Sequence, residues 1–241
     1  MRSEPYLITP CSGRGVCPDC FNFMPNEAGR CRACGQNRSS LDAITPISYA
    51  PRGGRLHREL ADYKRAADPS VPPVTLGLAR ILSRFLAAHE RCIARAAGVE
   101  RFDLVTTVPS ADAIRDHRHP LRRIVGQLVP ETAGRHQRVL LATNPPAPPH
   151  RYDADRFQAS TNLDAANVLL IDDVWTTGAA AQSAATTLKR AGAAIVAAVV
   201  IGRYVNGWFA DIADRLAQME ADYDPAACAL CRGGRVGLLA A

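Results

Sequence analysis

Lysine is nearly missing from this 241-residue chain: of 29 basic side chains, only Lys64 and Lys189 are lysines and the rest are arginines. Against that bias Lys64 stands out as a place for a compact point charge of the kind that meets phosphate. Aromatic residues are also scarce, at 6%. They never interleave with a basic run, which argues against a dedicated single-strand nucleic-acid binder. The net charge of +6 would suit a polyanion, yet the arginines are scattered and read as a solvated basic surface. Nucleic acid is therefore an open but disfavoured partner. No apolar run approaches the roughly 20 residues that span a bilayer, so a membrane partner is not expected. Met1 to Pro10 lacks the apolar core of a signal peptide, and the expected location is the cytoplasm. With 22% charged and 47% hydrophobic residues, the chain is expected to be globular.

The cysteines lack the spread of a secreted disulfide framework. Six of the eight fall into C-x-x-C pairs: Cys17/Cys20, Cys31/Cys34 and Cys228/Cys231. The first two pairs have zinc-ribbon spacing, two knuckles offering four thiolates to a structural zinc ion. Four protein ligands leave no open position, so this zinc is not expected to be catalytic. The first forty residues have little apolar periodicity and depend on the metal to fold. Cys228/Cys231 cannot complete a site alone. A third ligand from Cys11, replacement of one amino-terminal pair, or a redox role are all open. Cys92 reads as a core cysteine, the histidines as surface groups, and His119-Pro120 as loop.

From Ile44 to Pro73 the pattern is mixed, with a turn at Arg52-Gly53-Gly54 and then a short helical stretch. Val74 to Ala97 repeats apolar residues at spacings of three and four, predicting a helix. Phe102 to Ser110 and Arg138 to Thr143 read as strands, and Leu121 to Leu128 as a helix. "NPPAPPHRYDADRFQAS" reads as an exposed, poorly ordered loop. A helix is expected over Ala179 to Arg190, a strand over Ala194 to Gly202 and a last helix over Trp208 to Glu220. Strands that are hydrophobic throughout, alternating with helices, imply a doubly wound α/β fold with a mainly parallel sheet. The expected division is a zinc-ribbon module over 1–43 and a larger domain over 44–241. The latter has a hood segment near 44–73 and a flexible loop near 144–165.

Chemistry concentrates in "VLLIDDVWTTGAAAQSAATTLKRAG", Val168 to Gly192. Four aliphatics lead to Asp172 and Asp173 at the carboxyl end of a strand, where ligands bind in such sheets. Thr176-Thr177-Gly178 then turns into a helix whose first N–H groups form a phosphate cradle. Carboxylates repel phosphate, so they are placed for hydroxyls or a cation. A ribose 5-phosphate unit satisfies both halves.

This stretch resembles the phosphoribosyl-pyrophosphate (PRPP) loop of type I phosphoribosyltransferases. The whole chain resembles the ComF family of competence-associated, phosphoribosyltransferase-like proteins. "CPDC…CRACG" is similar to that family's zinc finger, and "SYAPRGGRLHRELADYKR" to the segment before its core. "DLVTTVPS" is similar to its first core strand and pyrophosphate loop, while "HPLRRI" and "DADRF" look like later landmarks. The resemblance implies that Asp172 and Asp173 bind the ribose hydroxyls, and that Thr176, Thr177, Gly178 and Ala179 hold the 5-phosphate. Pro109 and Ser110 would lie in the pyrophosphate loop, with Lys64 and Arg156 as candidate pyrophosphate contacts. Two departures stand out: Ala180 where the loop commonly carries a hydroxyl, and Trp175 where an aliphatic is usual and a large ring would narrow the sugar site. The implied activity is Mg²⁺-dependent transfer of the phosphoribosyl group from PRPP to an unidentified base or amine. The alternatives are a non-catalytic PRPP or nucleotide sensor and a DNA-uptake factor.

Overall fold

In the computed structural model, the described residues are 6–24, 29–37, 40–65, 72–110, 116, 119–143, 147–206, 210–220 and 223–232. They form an α/β structure around a four-stranded parallel sheet of order β1-β6-β5-β2. Its strands are β1 (Ala43–Pro51), β2 (Leu104–Thr107), β5 (Asn167–Trp175) and β6 (Ile195–Val205). A separate antiparallel pair joins β3 (Leu140–Ala142) to β4 (Phe157–Ala159). The helices are α1 (Arg32–Gln36), α2 (Arg55–Asp62), α3 (Pro73–Ala96), α4 (Pro120–Arg123), α5 (Pro130–Ala133), α6 (Ala179–Arg190), α7 (Ala210–Glu220) and α8 (Ala229–Arg232). Among the described residues no helix is long and apolar enough to cross a membrane.

The unbroken aliphatic runs are explained by burial on two sides. Side chains alternate across a strand, so Leu169 and Ile171 join one core with Ala197, Val199 and α3. Val168 and Leu170 join another with Ala198, Val200 and α6. Helix α3 starts on Pro73 at its first turn, a position that has no intrahelical use for an N–H. It stops where Gly98 adopts a φ of +77°. The Gly98 and Val99 amides then return to Arg95 and Ala94 carbonyls, closing the orphan end. Helix α6 is rich in small residues, nine of its twelve being buried, which lets it lie close on β4, β5 and β6.

Four sequence expectations are corrected. The stretch placed in a hood begins with β1, an edge strand of the main sheet paired in parallel with β6. Its prolines 46 and 51 masked it; proline is tolerated at a sheet edge because one row of donors has no ladder partner there. That edge is covered by the amino-terminal segment, where Ile8 accepts from the Tyr49 amide at 2.9 Å and the Ile8 amide donates to Ser48 Oγ at 2.8 Å. Second, Arg138 to Thr143 yields β3, which lies outside the parallel sheet. Third, the described part of the stretch taken as a poorly ordered loop contains β4 and is packed: Phe157 is buried, and the Asp153 amide donates to Ser183 Oγ on α6 at 3.0 Å. Fourth, the helix over Leu121 to Leu128 forms as α4 followed by a π-helical turn, Ile124–Leu128. Residues 66–71, 111–115 and 144–146, and Trp208 and Phe209 of the last expected helix, lie outside the described residues.

Candidate functional site

All four strands of the main sheet run in parallel, so their carboxyl ends share one rim. Asp172 and Asp173 sit there on β5. The Val108 amide extends the pairing of β2 by donating to Ile171 O at 3.0 Å, bringing Pro109 and Ser110 to the same edge. The two carboxylates, neighbours on β5, differ in burial. Asp173 faces α2 and the 3₁₀ turn Tyr63–Arg65. It is only 4% exposed, accepts a hydrogen bond from the Tyr63 hydroxyl and pairs with Lys64 Nζ at 2.7 Å. Asp172 is half-buried and its Oδ1 accepts from the Asp173 amide at 2.9 Å.

The electrostatics separate the two acids. Burial, and then the charge of Asp173, push the Asp172 carboxyl up to about 8; Lys64 acts in the opposite sense. Burial raises the Tyr63 phenol well above its usual range, with Asp173 adding to it, so Tyr63 stays a neutral donor. Burial also lowers the His119 imidazole, against the pull of Asp173. Its ring meets Tyr63 edge to face at 6.0 Å. His119 Nδ1 accepts from the Leu121 amide at 3.3 Å, which leaves Nε2 to carry the proton.

The turn after β5 is built as the sequence suggested. Gly178 is the cap residue of α6 with a φ of +79°. A Cβ there would lie 2.0 Å from the Trp175 ring. Trp175 itself is buried, its ring packed against Gly178 of the turn. Gly178→Ala is therefore expected to cost about 2–4 kcal/mol, the sum of a left-handed backbone and a clash with an immobile ring. Urea unfolding measures it, and an unchanged midpoint would contradict this packing. The Thr177 hydroxyl donates to His150 O at 3.3 Å and accepts from the Ala179 amide at 3.3 Å. Thr176 and Ala180 are half-buried at the turn, and Ala179 is buried.

Other candidates fall differently. Lys64 belongs to the rim through Asp173, its side chain 42% exposed. Lys189 pairs with Asp42 at 2.7 Å, far down α6. Arg156 is buried, and its guanidinium donates to the Pro148 and Arg151 carbonyls, holding its own loop together and not facing the rim as a free cation. The Ser110 amide donates to Asp116 Oδ1 at 3.0 Å, and Asp116 in turn pairs with Arg138 at 2.6 Å. A shallow depression lined by Asn162, Arg190 and Gly192 lies at the opposite end of α6 from the turn.

Among the described residues, two groups of side chains could hold a metal ion. Cys17, Cys20, Cys31 and Cys34 converge with their sulfurs within 4.8 Å of one another. Cys20 and Cys31 sulfurs are 3.6 Å apart. Zn–S bonds of about 2.3 Å in a tetrahedron set sulfurs roughly 3.8 Å apart, so the four thiols fit zinc. The second group is His89, Cys92, Cys228 and Cys231. It corrects three expectations: Cys11 is not a member, Cys92 is not simply core, and His89 is not on the surface. Cys11 lies 3.6 Å from the Tyr49 hydroxyl instead.

Arg203 joins the first cysteine group to the rim, and no motif announced it. It is 2% exposed on β6. Its guanidinium donates to Cys20 O at 2.9 Å and Cys20 Sγ at 3.4 Å. It also donates to the carbonyls of Trp175 at 3.0 Å, Thr176 at 3.2 Å and Tyr204 at 2.6 Å. Asn37, just past the last knuckle, donates to Thr177 O at 2.9 Å. Through Arg203 and Asn37 the cysteine module is thus tied to the carbonyls of Trp175, Thr176 and Thr177 in the turn.

No protein-family model matches this chain, and no curated protein matches it significantly.

Proposed function

We propose that the chain is a type I phosphoribosyltransferase-like protein of the ComF kind, which binds PRPP with Mg²⁺ and transfers its phosphoribosyl group to a base or amine. One observation carries the reading: a carboxylate pair and a glycine-capped helix start, with four residues between them, share the carboxyl rim of a parallel sheet. The ribose hydroxyls would donate to Asp172 and Asp173, and the 5-phosphate would lie on the turn from Thr176 to Ala180. Pyrophosphate would extend toward Pro109 and Ser110, within reach of the exposed cation of Lys64. Arg156 drops out of the binding set because it is buried, with Nη2 bound to the Pro148 and Arg151 carbonyls of its own loop.

The chemistry asks for positioning more than proton transfer. A nitrogen of the acceptor bonds to ribose C1 as the C1–oxygen bond to pyrophosphate breaks, and the nitrogen loses a proton. Mg²⁺, when bound with the pyrophosphate, neutralises charge that grows on the leaving group. The carboxylates offer the hard oxygen donors such an ion accepts. Asp173, held by Tyr63 and Lys64, is fixed before ligand arrives, and that fixing orients the sugar site. Zinc in the Cys17/Cys20/Cys31/Cys34 group is structural in this scheme.

The engagement of Asp173 also suits a second reading, a sensor that binds PRPP and does not turn it over. Ligand hydroxyls would compete with Tyr63 and Lys64 and move the 3₁₀ turn. Pyrophosphate release, followed for the full chain with PRPP, Mg²⁺ and a panel of nucleobases and amines, separates the two. Release with one acceptor, lost in Asp173→Asn, supports the enzyme. Binding without release for the whole panel supports the sensor.

A further inference from the structure

His89 is a polar residue on the apolar face of α3, 3% exposed, with its ring tilted against Phe85 at 5.1 Å between centroids. A buried imidazole needs partners for both nitrogens. Nε2 donates to the Pro225 carbonyl at 3.0 Å. That bond fixes the tautomer and turns the lone pair of Nδ1 toward Cys92 Sγ, 3.9 Å away and one helical turn on. Cys228 and Cys231 arrive from the other end of the chain. The four ligand atoms lie within 4.8 Å of one another.

We propose that His89 Nδ1, Cys92, Cys228 and Cys231 form a second structural zinc site that clamps the carboxyl-terminal segment onto α3. Three thiolates and one imidazole are a closed tetrahedral set for zinc. Bonds of about 2.0–2.3 Å place such donors roughly 3.5–3.8 Å apart, close to the spacing here. A backbone amide also points at a sulfur: the Cys228 amide donates to Cys231 Sγ at 3.0 Å, as the Cys31 amide does to Cys17 Sγ at 3.4 Å in the other group. The carbonyl on Nε2 is the outer partner that zinc-ligating histidines usually have. The clamp also has a structural task. Helix α8 has four residues, too few to persist alone, yet Cys228, Ala229 and Leu230 are buried in the core beside β1 and α3. With no vacant coordination position, the site holds structure and performs no turnover.

Elemental analysis of the full chain purified under reducing conditions tests this. Two zinc equivalents are expected for the native protein, one for Cys228→Ser/Cys231→Ser and one for His89→Ala/Cys92→Ser. One equivalent in the native protein, or two retained by the paired variants, would overturn it. If the variants do not fold, cobalt substitution of the native chain decides. Charge-transfer absorbance from seven coordinated thiolates supports two sites, and absorbance from four refutes the second. A disulfide among Cys92, Cys228 and Cys231, found by mass spectrometry after thiol blocking, would also refute it.

Discussion

Cys20→Ser is expected to remove one zinc equivalent and loosen the turn from Trp175 to Gly178 at the same time. Structural zinc contributes about 10–16 kcal/mol of apparent binding energy to small cysteine modules. Phe21 and Phe23 bury against the main core, but the knuckles themselves are joined by the four thiolates. Four thiolates on one divalent ion leave a net charge of about −2, and Arg203 is the buried cation beside Cys20 that offsets it. The same guanidinium holds the Trp175 and Thr176 carbonyls. Losing the knuckle therefore frees the turn. The thermal midpoint should fall by more than about 10 °C, with faster amide exchange across Trp175 to Thr177. Arg203→Ala separates the parts: it should keep the zinc but cost about 3–5 kcal/mol, because buried acceptors lose their donor. Unchanged exchange at the turn in Arg203→Ala would show that the module and the rim are not coupled.

The second large effect concerns Asp172, whose rim position costs stability. Its folded carboxyl is raised to about 8, first by burial and then by Asp173. The unfolded carboxyl titrates near 4, so between about pH 4 and pH 8 the native state binds the extra proton. Stability from this group is then complete at low pH and lost as pH rises to 8. Asp172→Asn, which mimics the neutral acid, is expected to be more stable than the native chain by about 1–3 kcal/mol at pH 8.5, allowing for partial exposure. The difference should vanish near pH 4. Denaturant unfolding across that range measures it, and equal pH profiles for the two proteins would refute the burial argument. An ionised Asp172 that costs stability fits the role proposed for it, accepting ligand hydroxyls.

What the sequence disclosed was local. The run from Val168 to Gly192 shows its strand, its turn and its helix because each signal lies within a few residues: aliphatics buried on both faces, then Gly178, then small residues ending before Gly192. The Cys17 to Cys34 spacing is legible for the same reason. Strand β1 was not, since Pro46 and Pro51 read as breakers until its edge position is known. Nor was β4, in a proline-rich stretch whose burial comes from packing on α6. The partners of Asp173 lie 110 residues away at Tyr63, and those of Cys20 lie 183 residues away at Arg203. Each of those residues is an ordinary tyrosine or arginine until the fold closes. His89 and Cys92 likewise read as surface and core because their counterparts sit beyond residue 220.

The central claim is that the carboxylate pair and the glycine-capped turn grip one phosphorylated ribose. Calorimetric titration of PRPP with Mg²⁺ into the full chain and into Asp172→Asn at pH 8.5 tests it most directly. The account predicts one site per chain, with affinity falling at least about tenfold in the variant, the value of a lost charge-assisted hydrogen bond. Equal heats for the two proteins, or none for either, would contradict it.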